Sequence, residues 1–216
     1  MSRGRHGVIR VLAGTNGAGK SSVGGAHLRA AGAGYYNPDE VARALLDSGA
    51  VASPAEANAE AWRRGAEELR RAIAGDTDFT FETTLGGNTI PELLETAADR
   101  GLELHLWYVG LASADLHVQR VRERVAAGGH DIPEAKIRER YDASRANLVR
   151  LLPKLTTLRL FDNSAPPDAE TGFVEPWLLL TLTRAEDGRR VVEVTPDTNL
   201  PRWARGIVAA ALALPV

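Results

Sequence analysis

The amino-acid sequence predicts an α/β fold in which a mainly parallel sheet is flanked by helices. Strand-like and helix-like segments alternate over about residues 7–165 of the 216-residue chain, and this alternation is typical of parallel strands that are joined by helices. A glycine-rich segment, GTNGAGKSS, follows the first apolar strand at residues 14–22. Beyond SAPPDAETG the alternation stops, so a C-terminal β-hairpin plus helix is predicted as an appendage to the same domain.

Five apolar or alternating runs predict the parallel part of the sheet. Each run is rich in Val, Ile, Leu, Thr or aromatic residues and is bounded by glycine, proline or polar residues, as buried and half-buried strands usually are. In chain order the runs are VIRVLA at 8–13, YYN at 35–37, DFTFETT at 78–84, LELHLWYVGL at 102–111 and TLRLFDN at 157–163.

The helices between these strands have recognisable starts. Pro38 and Pro54 suit a first helical turn, where a backbone N–H is not needed. Ser53 and Glu56 match a capping box, and Ser113 is a plausible N-cap. The predicted helices cover residues 20–31, 38–47, 53–74, 91–100, 113–127 and 133–152, followed in the appendage by a hairpin that turns near residues 187–188 and a helix from about residue 201.

Composition excludes several classes of function. The net charge of −2 offers no basic surface for general binding to nucleic acid, and the absence of cysteine excludes disulfides, thiolate catalysis and cysteine-ligated metals. The N-terminal apolar run is broken by Arg10, and WLLLTL is far too short to span a membrane. We therefore expect one cytoplasmic domain over residues 1–216, with a core at about 7–165 and an appendage at about 173–216, that binds neither nucleic acid nor membrane.

The segment at residues 14–22 fits the P-loop pattern Gly-x-x-x-x-Gly-Lys-Ser and predicts a P-loop NTPase fold. Glycines leave room for a phosphate chain, and the following helix presents the partial positive charge of its N-terminus. Lys20 is spaced to reach the β- and γ-phosphates, and the Ser21 hydroxyl to hold Mg²⁺. A purely structural glycine-rich turn is the alternative, which the strand–loop–helix context disfavours. The predicted nucleotide-binding residues are Gly14, Thr15, Asn16, Gly17, Ala18, Gly19, Lys20, Ser21 and Ser22.

Two carboxylates stand where a transferase would use them. Asp39 follows the second strand, at the edge where α/β clefts open, and could take the proton of an acceptor hydroxyl. It could equally stabilise the start of a helix through the helix dipole. Glu82 ends the third strand beside Thr83 and Thr84, and could bind sugar hydroxyls, hold a water on Mg²⁺, or mark a solvated strand end.

Two predicted helices that follow the fourth strand carry arginines around a glycine-rich loop. Arg120 and Arg124 are four residues apart, a spacing at which like charges repel unless an anion such as a γ-phosphate faces them. A solvated helix face is the alternative. Arg140 and Asn147 border the apolar stripe of the next helix, so they face either a cleft or the limit of the core. GGH between the helices resembles the hinge of a closing lid, and His130 could contact ligand or cap the loop.

Several segments together resemble the zeta toxin family of P-loop kinases over about residues 7–165. The segments are AGTNGAGKSS, NPDE, FETTL, the run from LWYVGL to SRANL, and LFDNS. The most specific part of the resemblance is the pattern RV..RV..GGHDIPE..I..RY..S..NL within the long run. The resemblance implies transfer of the γ-phosphate of ATP or GTP, with Mg²⁺, to a hydroxyl of UDP-N-acetylglucosamine, and inhibition by a small antitoxin protein. The alternatives are another small-molecule P-loop kinase, acting on a sugar or nucleoside, and a non-catalytic nucleotide-binding switch that acts through a partner.

The resemblance also implies roles for single residues. Lys20 and Ser21 would bind phosphate and Mg²⁺, and Asp39 would be the general base. Arginines flanking the GGH loop would clamp the γ-phosphate; of the candidates Arg120, Arg124, Arg138 and Arg140 we favour Arg124 and Arg140. The predicted catalytic set is Asp39, Lys20, Arg124 and Arg140, and the predicted substrate-binding set is Asp39, Glu82, Thr83, Thr84, His130 and Asn147.

Overall fold

A single sheet organises the part of the chain that the computed structural model describes, namely residues 6–25, 34–129, 131–168, 170, 174–185, 187–196 and 199–215. Its strands are β1 (Val8–Ala13), β2 (Tyr35–Tyr36), β3 (Phe79–Thr83), β4 (Glu103–Gly110), β5 (Thr157–Asp162), β6 (Trp177–Arg184) and β7 (Arg190–Val194). They stand in the order β2-β3-β1-β4-β5-β6-β7. β1 to β5 pair in parallel, whereas β6 pairs antiparallel with both β5 and β7. The mainly parallel sheet and the terminal hairpin are thus confirmed.

Helices connect the strands close to where the sequence predicts them. Their bounds are α1 (Pro38–Asp47), α2 (Pro54–Gly75), α3 (Thr89–Asp99), α4 (Ala114–Ala126), α5 (Glu134–Leu151) and α6 (Arg205–Leu212). The helix predicted over residues 20–31 is described only to residue 25, where Ser21–Gly25 forms a turn of π-helix, and its remainder lies outside the described residues. The last helix begins later than predicted, because residues 202–204 form a turn. Among the described helices, none is both long and apolar enough to cross a membrane.

Side-chain caps determine where two helices begin. The Ser53 hydroxyl accepts the N–H of Glu56 at 3.2 Å, and Glu56 in return accepts the N–H of Ala52 at 2.9 Å. The capping box is therefore present, with its return bond one residue earlier than in the usual pattern. At the start of α1, the Asn37 side chain accepts the N–H of Asp39 at 2.9 Å. This bond fixes the backbone of Asp39 at the carboxyl end of β2.

The main hydrophobic core covers one face of the sheet. Ile9 and Val11 of β1 belong to it, together with apolar residues of α2, α3, α5 and α6. Leu12 points to the opposite face, as alternation along a strand requires, and packs there with Ala18 and Val109. The glycine-rich segment therefore starts from a strand that is buried on both faces.

The C-terminal hairpin and helix share this core. The Trp203 ring lies against Tyr108 with ring centroids 6.2 Å apart, and its indole N–H donates to Asp162 at 3.2 Å. A Cβ at Gly110 would lie 2.2 Å from the Trp203 ring, so β4 ends in glycine where the indole packs. The predicted appendage is therefore an extension of the sheet that contributes to the central packing.

Candidate functional site

The glycine-rich segment leaves the carboxyl end of β1 and turns at its glycines. Gly14 and Gly19 have φ angles of +144° and +81°, which residues with a side chain rarely adopt. A Cβ at Gly14 would lie 2.2 Å from the carbonyl oxygen of Val109, and one at Gly19 would lie 2.4 Å from Nδ2 of Asn163. Both positions therefore require glycine for two independent reasons, the backbone angle and the lack of space.

Three side chains from distant parts of the chain hold this loop. Asn163, directly after β5, donates its amide N–H to the carbonyl oxygen of Ala18 at 2.9 Å. Arg140 of α5 donates to the side-chain oxygen of Asn16 at 2.8 Å. His117 of α4 donates through Nδ1 to the backbone carbonyl of Asn16, also at 2.8 Å. These three hydrogen bonds hold the shape of the loop.

His117 is neutral at physiological pH. Burial lowers its pKa to about 4, against the opposing effect of its hydrogen bond to Asn16 and with the help of the positive charge on Lys20. Because a carbonyl oxygen only accepts, the proton of the neutral ring resides on Nδ1. The imidazole thus acts as a fixed hydrogen-bond donor to the loop.

A buried carboxylate faces the lysine and serine of the P-loop pattern. Glu82, at the end of β3, has Oε1 3.4 Å from Nζ of Lys20, and its Oε2 accepts from Ser21 at 3.2 Å and from the Tyr35 hydroxyl at 2.6 Å. The Ser21 hydroxyl and the Glu82 carboxylate are hard oxygen ligands of the kind that suit Mg²⁺. These contacts fit a role of Glu82 beside Mg²⁺ better than a direct contact with a sugar.

A cavity of about 460 Å³ opens beside this cluster. It lies at the carboxyl ends of the strands, where ligands bind in open α/β sheets. Predicted residues of the nucleotide-binding, catalytic and substrate-binding sets share its wall, and these are Asn16, Lys20, Asp39, Glu82, Thr83, Thr84 and Arg140. The structure therefore brings the phosphate-binding loop and the predicted general base to one cavity.

Asp39 also lines a second cavity, of about 630 Å³, together with Arg124. Nη1 of Arg124 lies 3.9 Å from Oδ2 of Asp39, and the two side chains are 36% and 43% exposed. Arg43 and Gly128 line the same cavity. Because Asp39 lies on both cavity walls, a ligand that spans them would pass this carboxylate.

The four candidate arginines have different positions. Arg140 lies on the first cavity and contacts the P-loop, and Arg124 lies on the second cavity beside Asp39. Arg120 instead donates to the carbonyl oxygen of Ala165 at 3.0 Å. Arg138 pairs with acidic residues of α4 and α5 at the protein surface. Of the four candidates, Arg140 and Arg124 are thus the two that line these cavities, and their role as a phosphate clamp stays a prediction.

One described residue of the predicted substrate-binding set, Asn147, does not lie on the wall of either cavity. Asn147 is buried and donates both amide N–H groups to the loop after β3, to the carbonyl oxygens of Leu85 at 2.9 Å and Gly87 at 3.0 Å. Its amide donors are therefore used to hold the loop, and the expected contact of Asn147 with substrate stays a prediction. His130 lies outside the described residues.

Sequence reasoning missed three residues of this site, namely Tyr35, His117 and Asn163. Asn163 lies within LFDNS, one of the segments that carry the family resemblance, so that segment was a usable signal. Tyr35 and His117 have no local signal, because each acts through a partner that is far away in sequence.

The comparisons with known proteins agree with the fold. No protein-family model matches the chain. An uncharacterized protein of Haemophilus influenzae is 34% identical over 134 residues, which cover 59% of this chain and 88% of that protein. Among solved structures, a chain of the AvrRxo1-ORF1:ORF2 complex with ATP aligns over 100% of this chain and 67% of its own length, with 19% identity and a TM-score of 0.62.

A chain of the PezAT chromosomal toxin–antitoxin system of Streptococcus pneumoniae is similar as well. The alignment covers 94% of this chain and 79% of that chain, with 13% identity and a TM-score of 0.52. Likeness at 13% and 19% identity establishes the fold, whereas 34% identity over most of the Haemophilus influenzae protein establishes common membership of a family. The chain therefore belongs to one family with that protein, and it shares its fold with the chains of the AvrRxo1-ORF1:ORF2 and PezAT structures.

Proposed function

We propose that the protein is a kinase that transfers the γ-phosphate of ATP (or GTP) to a hydroxyl group of a small molecule. The observation that carries this proposal is the single cavity that joins Lys20 of the P-loop, Glu82, Arg140 and the carboxylate of Asp39. A nucleotide-binding switch has no need of a carboxylate facing the terminal phosphate across an open cavity. The ATP in the similar AvrRxo1-ORF1:ORF2 structure supports the choice of nucleotide.

The P-loop side would bind and stabilise the phosphates. Lys20 would exchange its contact with Glu82 for the β- and γ-phosphates, and backbone N–H groups of the P-loop that do not donate within the protein would bind the remaining oxygens. Arg140, held against Asn16, would lie beside the moving phosphoryl group, where a positive charge contributes several kcal/mol to a transition state. Mg²⁺, held through Ser21 and Glu82, would supply further neutralisation of phosphate charge.

Asp39 would hold the acceptor. Its carboxylate accepts a hydrogen bond from the acceptor hydroxyl and takes the proton as the new O–P bond forms and the bond to the leaving nucleoside diphosphate breaks. Arg124, 3.9 Å away, orients this carboxylate and offers a second positive charge to the phosphoryl group. Positioning matters more than deprotonation, because the transition state of phosphoryl transfer is loose.

The acceptor and partner that we propose come from the family resemblance. UDP-N-acetylglucosamine is the acceptor to test first, and a small antitoxin protein is the proposed partner. The similar PezAT system is a toxin–antitoxin pair, which supports a partner of this kind. Toxicity on expression that Asp39→Ala relieves is the outcome expected for a toxin, whereas harmless expression of the active kinase would point to another small-molecule kinase.

The decisive experiment compares Asp39→Ala with Glu40→Ala. Transfer of labelled phosphate from ATP is measured with UDP-N-acetylglucosamine, nucleosides and sugars as acceptors, and nucleotide affinity is measured separately. We expect Asp39→Ala to lower the transfer rate by about 10²–10⁴-fold, as loss of a general base does, and to leave nucleotide affinity unchanged. Glu40→Ala is the matched control, because Glu40 is the adjacent acid and lies on neither cavity wall. Equal rates for the two variants would refute the role of Asp39.

A further inference from the structure

Trp62 is a large aromatic side chain that is left half exposed at the candidate site. It lies on α2, is 49% exposed, and lines the 460 Å³ cavity that Lys20, Asp39 and Arg140 also line. Among the described residues, its ring stacks on no other ring and contacts no cation. An exposed indole forgoes about 25 cal/mol of hydrophobic stabilisation per Å² of apolar surface, so an aromatic ring at this position is unexplained by packing.

The helix that carries Trp62 is rigidly placed over the end of β2. The Tyr36 hydroxyl donates to the carbonyl oxygen of Ala61, and a Cβ at Gly65 would lie 2.7 Å from the Tyr36 ring. Ala57 and Ala61 are buried against α1. Because the inward face of α2 is fixed by these contacts, Trp62 projects from a defined position near the first turn of α1, which carries Asp39.

Polar groups accompany the indole on the same wall. Asn58 stands four residues before Trp62 and therefore lies on the same face of α2, and it too lines the cavity. Asn88, which ends the loop after β3, and Thr89, which begins α3, line the cavity as well. A flat apolar surface beside amide and hydroxyl groups provides what a nucleobase requires, since its face stacks on aromatic rings and its edge forms hydrogen bonds.

We propose that Trp62 is the stacking platform for the base of the acceptor, which is a nucleotide derivative in the proposed function. The amide of Asn58 hydrogen-bonds to the edge of that base. This assignment rests on the proposed function, because the wall with Asp39 is the acceptor side of the cavity. The base of ATP lies elsewhere, because Lys20 and Arg140 bind the opposite, terminal-phosphate end of the nucleotide.

Equilibrium binding tests this assignment without any need for turnover. The full chain is saturated with a non-hydrolysable ATP analogue and Mg²⁺, and is then titrated with UDP, CDP, GDP and, as a base-free ligand, N-acetylglucosamine 1-phosphate. For at least one nucleoside diphosphate we expect Trp62→Ala to weaken binding about tenfold or more, as loss of a base–aromatic stack does. Trp62→Phe keeps an aromatic face, so its affinity for the same nucleoside diphosphate should fall by about threefold or less. Asn58→Ala should weaken the same ligand by less than Trp62→Ala does.

Trp177→Ala is the matched control. Trp177 is 39% exposed, begins β6, and lies on neither cavity wall. We expect all affinities of this variant to equal those of the unaltered chain. Affinity for N-acetylglucosamine 1-phosphate should be unchanged in every variant.

Four results would overturn the assignment. They are unchanged affinities in Trp62→Ala, a comparable loss for N-acetylglucosamine 1-phosphate, a loss of affinity for the ATP analogue itself, and failure of every nucleoside diphosphate to bind the unaltered chain while the ATP site is filled. Failure of the proposed function is distinguishable from these, because it would appear as absence of phosphate transfer to any acceptor although a nucleoside diphosphate still binds through Trp62.

Discussion

The two sides of the candidate site differ in how firmly the protein builds them. Most of the P-loop as far as Lys20 is buried, and three side chains that are distant in sequence, His117, Arg140 and Asn163, hold it through hydrogen bonds of 2.8–2.9 Å. The acceptor side is defined by Asp39 and Arg124, which are partly exposed and lie 3.9 Å apart. The loop of the first side is therefore held by several short hydrogen bonds, whereas the second side has one long, partly exposed ion pair.

This difference is what phosphoryl transfer to a small acceptor requires. The phosphates of a nucleotide have the same shape in every turnover, so a fixed loop avoids reorganisation when they bind. The acceptor has to enter, react and leave, and a loosely paired wall beside Gly128 permits this. Three substitutions test whether the P-loop side is held more firmly than the acceptor side. They follow in order of their expected effect on the free energy of unfolding.

Gly14→Ala should have the largest effect. The new Cβ would lie 2.2 Å from the carbonyl oxygen of Val109, at a φ of +144°. Backbone strain and overpacking together should lower the free energy of unfolding by about 2–6 kcal/mol and abolish nucleotide binding. Denaturant unfolding and nucleotide titration measure the two effects.

Gly206→Ala provides the control for that substitution. Gly206 lies in α6, where a Cβ would meet nothing within 4 Å, so alanine should stabilise the helix by about 0.5–1 kcal/mol. If Gly14→Ala were as stable as Gly206→Ala, the P-loop side would not be the firmly built side.

His117→Gln should change how stability depends on pH. Burial lowers the pKa of His117 to about 4, compared with 6.5 for an exposed histidine. Between these values the unfolded chain binds a proton that the native protein does not, so the free energy of unfolding falls as the pH is lowered from 6.5 to 4, by up to about 3 kcal/mol. The variant should lack this decrease in the free energy of unfolding at acid pH. Urea unfolding at several pH values would detect the difference.

His105→Gln is the comparison for this measurement. His105 lies on β4 and contacts Thr157 and Glu103, away from both cavities. An identical pH dependence of stability in His117→Gln and in the unaltered chain would show that the buried histidine does not hold the loop in its neutral form.

Arg124→Ala should have the smallest effect on stability and a large effect on rate. Its ion pair with Asp39 is partly exposed, so the free energy of unfolding should change by about 1 kcal/mol or less. Loss of a charge near the moving phosphoryl group should lower the transfer rate by about 10²–10³-fold. Thermal melting and phosphate-transfer assays give the two numbers.

Arg122→Ala is the matched control on the same helix. Arg122 is 73% exposed and pairs with Glu134 at 2.9 Å. It should leave both stability and rate nearly unchanged. A loss of stability in Arg124→Ala as large as that in Gly14→Ala would show that the acceptor side is as firmly built as the P-loop side.

Much of the fold was predictable because its signals are local. Apolar runs bounded by glycine mark the strands, and Pro38, Pro54 and Ser53 mark helix starts within one or two residues of their observed positions. The hairpin was also predictable. Its attachment to β5 was not, because pairing of Leu160 with Leu180 depends on a contact between distant segments.

In the candidate site, too, the features with local sequence signals were predictable and those that depend on distant contacts were not. The P-loop motif and the position of Asp39 at a strand end could be inferred from sequence, since both depend on neighbouring residues. The place of Asn147 could not, because a polar residue at the edge of an apolar stripe faces either a cleft or a loop, and only packing decides which. Here it holds the carbonyl groups of Leu85 and Gly87.

The sequence by itself determined the alternation of strands and helices, the glycines that permit a tight phosphate-sized turn, and the charged side chains that border it. Only the tertiary structure decided that Asn163, Arg140 and His117 hold that turn across 101 to 145 residues of chain, and that Trp62 stands open beside Asp39. The physical reason is that backbone conformation follows from short-range sterics and hydrogen bonding, whereas the partner of a buried polar group is chosen by the packing of whole elements.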